Sequence, residues 1–349
     1  MTVEFRSRFG MRRAGRTESR ARVSDARRLG LRAVAACAVA CVAMALLATA
    51  GDAMAAGRMY KGRAGSLTYL TYVPSGHHRS RMPLVVALHG CTQSADQFRR
   101  QTRWDRLAQT KGFIVVFPQQ SRANNFFKCW DFFQANHMKR GSGEPSLIAR
   151  ITRRVRARYA VDPKRIYIAG FSAGGAMTSV MAATYPDLYA AAGIGSGCEY
   201  AATAACAGYQ GIDPNSAGQQ AYAAMGSHAR PMPVIAFQGD QDRTVPPVNG
   251  QQVVQQWQVT DRLAGDGTTN SAFPGALGGK VSYGRAPGGR SYTTRTYMDG
   301  HNAELIQYWV VSGMGHAWSG GASTATYSDP AGPNETAAMY AFFMNHPKP

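Results

Sequence analysis

The chain has 349 residues, of which 45% are hydrophobic, 17% charged and 10% aromatic, with 38 glycines and 17 prolines. That composition excludes a disordered polymer, a collagen-like rod and a heptad coiled coil, and the length allows one large domain or two small ones. The net charge is +19; residues 1–55 hold ten arginines and four acids (+6), and the other 29 basic and 16 acidic residues keep the rest at +13.

An arginine-rich segment runs to Arg32 and is followed by 18 uncharged, mostly apolar residues, Ala33–Ala50. After Asp52 comes the small-residue triplet Ala53-Met54-Ala55. Basic, apolar and small-residue segments in this order predict a signal peptide over residues 1–55, leaving a single domain over 56–349. A transmembrane anchor is the competing reading, since 18 residues approach spanning length; the dominance of alanine and the adjoining triplet favour cleavage. The protein is thus expected to be secreted or periplasmic, without a stable membrane anchor. Cys91, Cys129, Cys198 and Cys206 remain in the body. An even set in an exported chain predicts two disulfides, with three possible connectivities. No C-x-x-C pair is present and the spacing is not that of a zinc site, so neither a metal nor another cofactor is expected.

The continuous apolar run Pro83–Leu88 predicts a strand buried on both faces, and Phe113–Phe117, stopped by Pro118, a second. Between them the pattern over Ala95–Ala108 predicts one helix. Residues 119–143 read as an aromatic and polar loop. Over Pro145–Tyr159 the residues Leu147, Ile148, Ile151, Val155 and Tyr159 share one helical face, with five arginines mostly elsewhere. Arg165–Ala169, Ala190–Gly195, Pro233–Gln238 and Glu304–Val311 predict further strands. Ala173–Tyr185, Val248–Leu263 and Glu335–Asn345 predict helices. The Gly-rich stretch 264–290 reads as a surface loop or insertion, and Asp299-Gly300 as a hairpin turn. Strand–helix alternation of this kind predicts an α/β fold, a mostly parallel central sheet with helices on both faces.

The chemistry gathers at the strand ends. Gly170-Phe171-Ser172-Ala173-Gly174 follows a predicted strand and opens a predicted helix. A nucleophile on such a turn needs small neighbours, and the turn aims helix N-terminal amides at a developing oxyanion. Ser172 is therefore the candidate nucleophile. A serine hydroxyl needs a base, and the base an orienting acid. Gly313-Met314-Gly315-His316 leaves the strand ending at Val311, which favours His316 as base over His228, His301 and His346. The loop Gly239-Asp240-Gln241-Asp242 offers two acids, Asp240 and Asp242, which spacing alone does not separate. The loop His89-Gly90-Cys91-Thr92-Gln93 leaves the first buried strand, and the amides of Cys91 and Ala173 are the candidate oxyanion donors.

With these motifs, together with Cys129-Trp130-Asp131-Phe132-Phe133 and Gly313–Gly321, the chain resembles the polyhydroxybutyrate-depolymerase-type esterases of the α/β-hydrolase superfamily, which include feruloyl and acetyl-xylan esterases. The likeness runs from about Tyr60 to Pro347. It implies an α/β-hydrolase fold and a serine esterase working by acyl transfer with Ser172, His316 and Asp242. It also implies pairing of Cys91 with Cys129, leaving Cys198 with Cys206. His89, Trp130 and Trp318 adjoin these elements and are candidate walls of an acyl pocket, with core packing as the competing role for the two tryptophans. Gln238 stands where relatives often carry histidine, and Phe132 where tryptophan is commoner.

The implied substrate is a short-chain poly(3-hydroxyalkanoate) or its oligomers, with feruloyl or acetyl esters of plant polysaccharide as the alternative. With 33 residues after His316, no separate substrate-binding domain is expected, which points to oligomers or amorphous polymer. A non-catalytic basic protein bound to an anionic envelope is the remaining reading; the +13 charge permits it, but no aromatic-studded nucleic-acid motif accompanies that charge. The oligomeric state is not legible.

Overall fold

A computed structural model describes residues 57–76, 81–209, 211–266 and 279–349. The leader expected over residues 1–55 lies outside them.

Three strands carry the centre of the fold: β3 (Met82–Leu88), β4 (Ile114–Gln119) and β5 (Val161–Phe171). Their apolar runs are continuous because both faces are covered. Leu84, Val86, Ile114, Val116, Ile166 and Ile168 join one core cluster, while Val85, Ala87, Val115, Phe117, Tyr167 and Ala169 join another on the opposite face. The period of two along a strand sorts alternate side chains into the two cores.

Around them lies a sheet of ten strands in the order β1-β2-β4-β3-β5-β6-β7-β10-β9-β8. The added members are β1 (Arg58–Ala64), β2 (Leu67–Val73), β6 (Ala192–Gly195), β7 (Val234–Gly239), β8 (Lys280–Arg285), β9 (Ser291–Met298) and β10 (Glu304–Val311). The central run from β4 to β10 is parallel, and antiparallel hairpins flank it at both ends. Helices α1 (Ala95–Thr102), α2 (Trp104–Lys111), α3 (Gly143–Arg158), α4 (Ala173–Thr184), α5 (Pro214–Met225), α6 (Pro247–Asp266) and α7 (Glu335–Asn345), a small pair, β11 (Trp318–Ser319) and β12 (Ser328–Asp329), and three short 3-10 turns, Ala135–His137, Ala204–Cys206 and Gly226–His228, complete the described elements. On α3 the residues Ile148, Ile151 and Val155 are buried while Arg150, Arg153, Arg154, Arg156 and Arg158 are exposed, so this part of the positive charge is a solvated face. Among the described residues no helix is long and apolar enough to cross a membrane.

Three expectations are corrected. The single helix over Ala95–Ala108 is two, separated by Arg103 at φ 56°. Phe98 and Trp104 are six positions apart, so one straight helix points them about 120° away from each other; the break buries both. The hairpin β1–β2 precedes the first strand read from the sequence, and its mostly exposed β1 carries no apolar run. The stretch 264–290 contains strand β8 rather than loop alone, while 267–278 lies outside the described residues.

Candidate active site

Strands β3, β5, β7 and β10 each end in a loop that carries one proposed element of the site. Open α/β sheets collect ligands at this carboxyl edge. Ser172 sits between β5 and α4 with φ 57° and ψ −124°. A non-glycine residue at positive φ costs of the order of 1–3 kcal/mol and persists where the surroundings hold it. Here its amide donates to Gly195 O at 2.9 Å, and its carbonyl receives the Ala176 amide at 3.0 Å. Gly174 lets α4 press against the β3 exit, because a Cβ there would stand 2.3 Å from Leu88 O and 2.5 Å from His89 O.

His316 joins the other side chains. Its Nε2 lies 2.9 Å from Ser172 Oγ, and its Nδ1 lies 2.8 Å from Asp242 Oδ2. Asp242 is buried, and its Oδ1 accepts the amides of Thr244 and Val245, each at 2.9 Å. Gln238 Nε2 donates to Oδ2 at 3.3 Å. The two acids that spacing left level are thereby separated. Asp240 Oδ1 accepts the Gly313 amide at 2.7 Å, so it braces the loop that presents the imidazole. Gly239 allows the two loops to touch; a Cβ there would meet Met314 O at 2.2 Å. Glu335, fully buried at the start of α7, accepts the Ser319 amide at 2.9 Å and so holds the chain three residues past His316. Burial pushes its carboxyl well above the usual range. His228 and His301 lie in turns elsewhere, and His346 bonds to the carbonyls of Phe342 and Glu304.

Gly90, Cys91 and Ala173 line a cavity of about 200 Å³ beside Ser172 and His316. Among the described residues, the amides of Cys91 and Ala173 have no protein acceptor. Phe132, Phe171, Val245, Ala207 and Tyr327 line its apolar wall, together with Cys198 and Cys206. Two disulfides are present, Cys91–Cys129 and Cys198–Cys206. The first ties the loop after β3 to the segment before Trp130, and the second forms part of the pocket wall.

His89, Trp130 and Trp318 do not line this cavity; all three are fully buried behind it. Trp130 Nε1 donates to His89 O at 3.0 Å, and Trp318 Nε1 donates to Thr336 Oγ1 at 2.9 Å. Both rings therefore pack the core, because a buried indole N–H needs an internal acceptor that a pocket wall does not offer. The imidazole of His89 is equally internal. The Gln120 amide donates to its Nε2 at 3.0 Å, which places the ring proton on Nδ1, 2.8 Å from Gly90 O. Since the C=O and N–H of one peptide unit point in opposite directions, fixing Gly90 O fixes the direction of the Cys91 amide. Burial, reinforced by Lys128, lowers the His89 pKa to about 4 against the opposing hydrogen bond to Gly90, so the ring is neutral at pH 7.

Sequence reasoning passed over Phe171, Tyr327 and the Cys198–Cys206 wall. Phe171 was within reach as the variable residue of G-x-S-x-G; Tyr327 reaches the site through the β11–β12 pairing, which leaves no apolar pattern.

The family model described as esterase PHB depolymerase matches residues 67–271. The poly(3-hydroxyalkanoate) depolymerase C of Paucimonas lemoignei is 34% identical over 263 residues, covering 72% of this chain and 58% of that protein. A probable acetylxylan esterase A of Neosartorya fischeri is 32% identical over 208 residues, 56% of this chain and 55% of its own. The chain thus spans little more than half the length of these relatives. Among solved structures, an acetyl xylan esterase from Aspergillus awamori superposes with a TM-score of 0.62 at 23% identity, over 83% of this chain and 100% of that one. That likeness shows the fold, which is the α/β-hydrolase fold. By the span of the family model and the sequence it shares with these relatives, the chain belongs to the esterase PHB depolymerase family.

Proposed function

We infer that the protein is an exported serine esterase hydrolysing short-chain poly(3-hydroxyalkanoate) or its oligomers, with residues 56–349 as one catalytic domain and 1–55 as a cleaved leader. What carries the reading is the chain of contacts from Ser172 Oγ through His316 to the buried Asp242 carboxylate, at the wall of a small apolar cavity. In the reaction, Ser172 Oγ attacks the ester carbonyl carbon while His316 Nε2 takes its proton. Asp242 accepts the Nδ1–H, holds that tautomer and stabilises the imidazolium. The amides of Cys91 and Ala173, the latter at the N-terminus of α4, receive the oxyanion. His316 then protonates the departing alkoxide, and a water activated by the same nitrogen releases the acyl group. No cofactor and no nucleic acid enters this scheme. Two disulfides fit an oxidising compartment.

Substrate class rests on the cavity and its rim. About 200 Å³ is below the range of about 300–1,000 Å³ common for drug-sized ligands, which favours one short acyl unit. The exposed aromatic residues Phe126, Phe127, Phe133, Tyr209 and Tyr327 lie on the loops that supply the cavity's lining. Exposed apolar groups gathered near a site suit contact with an apolar chain. A second reading, acetyl esters of xylan, is favoured by the same small cavity and by the relative carrying that name. Parallel assays on 3-hydroxybutyrate oligomers, amorphous polymer, acetylated xylan and methyl ferulate separate the readings. The expected result is highest kcat/KM on the 3-hydroxybutyrate esters; activity confined to acetylated xylan or methyl ferulate rejects the polyester assignment.

A further inference from the structure

Away from the triad, three loop and helix-start residues converge: Asp131, His137 and Glu144, with ligand-type atoms all within 4.8 Å of one another. They open onto a cavity of about 440 Å³ also lined by Ser66, Asn124, Gln134 and Ser146. We propose that these three side chains bind one divalent cation of the zinc or manganese type, which braces the segment 120–144 behind the oxyanion loop.

The local charge calls for a cation. Asp131 and Glu144 are 5% and 3% exposed, their carboxylates each bring an oxygen within 4.8 Å of the other, and the Asp131 amide donates to Glu144 Oε2 at 2.8 Å. Among the described residues no lysine or arginine forms an ion pair with either, although this body of chain carries a large basic excess. Buried carboxylates without a cation are costly. Among the described residues their one ionisable partner is His137, whose Nδ1 stands 3.4 Å from Glu144 Oε2 and receives the Glu144 amide at 3.5 Å. Charge-assisted hydrogen bonds close to about 2.7–2.9 Å, so this contact is too long to be a tight ion pair.

The ligand spacing suits one ion. With metal–ligand bonds of about 2.2 Å, His137 Nδ1 and Glu144 Oε2, 3.4 Å apart, subtend about 100° at a shared ion, close to tetrahedral and octahedral angles, and the full set lies within 4.8 Å, slightly wider than the about 4.4 Å that two such bonds span. One imidazole with two carboxylates suits Zn²⁺ or Mn²⁺ better than Ca²⁺ or Mg²⁺, which prefer oxygen alone. Each carboxylate has its own support: Asn125 Nδ2 donates to Asp131 Oδ1 at 2.7 Å, and Gln120 Nε2 donates to Glu144 Oε1. Such outer hydrogen bonds orient metal ligands. Gln120 also connects the cluster to the catalytic side, since its amide bonds His89 Nε2 and its side chain bonds Cys129 O.

The test uses the untagged protein, stripped with chelator and then equilibrated with Zn²⁺, Mn²⁺, Ca²⁺ or Mg²⁺ alone, with bound metal counted and melting followed. The expected result is one Zn²⁺ or Mn²⁺ per chain, and a Tm raised by about 5 °C at a hundredfold excess over Kd. His137→Ala and Glu144→Gln should each weaken that binding at least about tenfold. His137 has 16% of its side chain exposed, so its replacement tests the site even if Glu144→Gln does not fold. Failure of the wild type to take up stoichiometric metal, or uptake of equal affinity in His137→Ala, overturns the proposal. Neither result depends on which ester is cleaved.

Discussion

Acidification should expose the internal role of His89 through a single proton. In the folded chain its pKa lies at about 4, against 6.5 for an ordinary imidazole. Between those values the unfolded chain binds a proton that the folded chain refuses, so stability is full above pH 6.5 and falls as the pH drops toward 4. At about 1.4 kcal/mol per pH unit the loss attributable to this ring reaches about 3 kcal/mol. Other groups also titrate in this range, and a non-titrating comparison removes them. In His89→Asn the amide nitrogen can still donate to Gly90 O, while the Gln120 N–H loses its acceptor, a pH-independent cost of about 1–3 kcal/mol. Urea unfolding followed by tryptophan fluorescence from pH 4 to 7 gives the stability difference between the two proteins. Wild type should lead at pH 7, and the lead should shrink by about 3 kcal/mol at pH 4, vanishing or reversing. A difference that stays constant over the range refutes the neutral, buried ring and its Nδ1–H hold on Gly90.

Three further outcomes follow from the same geometry. Asp242→Asn offers one oxygen to four donors, namely the Thr244 and Val245 amides, Gln238 Nε2 and His316 Nδ1–H. The ring loses its tautomer control, and ester hydrolysis should fall about 10⁴-fold in kcat with little change in fold by circular dichroism. Gly174→Ala drives a methyl into the carbonyls of Leu88 and His89 and should cost about 1–3 kcal/mol in unfolding experiments, with at least a tenfold loss of kcat; Gly300→Ala, with open space around it, should do neither. Replacing both Cys91 and Cys129 by alanine removes a link across 38 residues, worth about 4 kcal/mol by chain entropy, whereas the Cys198–Cys206 link across 8 residues is worth about 2.5 kcal/mol. Unfolding midpoints of the two double variants should rank in that order.

What the sequence disclosed follows from which physical signals are local. The central strands were legible because burial on both faces forces unbroken runs such as Leu84–Leu88 and Ile114–Phe117. Ser172 was legible because a tight strand-to-helix turn demands small neighbours, and His316 because a glycine-flanked histidine follows a strand directly. The choice between Asp240 and Asp242 was not, since both satisfy the same loop pattern and only the fold decides which reaches the imidazole. Family resemblance pointed to Asp242 where spacing could not. Bulk misled the pocket assignment: Trp130 and Trp318 adjoin site residues in sequence, yet their N–H groups are spent on internal acceptors. The outer strands β1, β8 and β9 left no signal because strands open or half open to solvent need no apolar run. The cluster at Asp131, His137 and Glu144 leaves no signature in the sequence, because its members meet through the turn before α3 rather than through a recognisable spacing.

Labelling by a fluorophosphonate ester, with the adduct located by peptide mass mapping, tests most directly whether the convergence at Ser172 is a working nucleophile. A single adduct on Ser172 is expected, absent in Ser172→Ala and formed orders of magnitude more slowly in His316→Ala. An unlabelled wild-type protein, or an adduct formed equally fast without His316, contradicts the serine-hydrolase assignment.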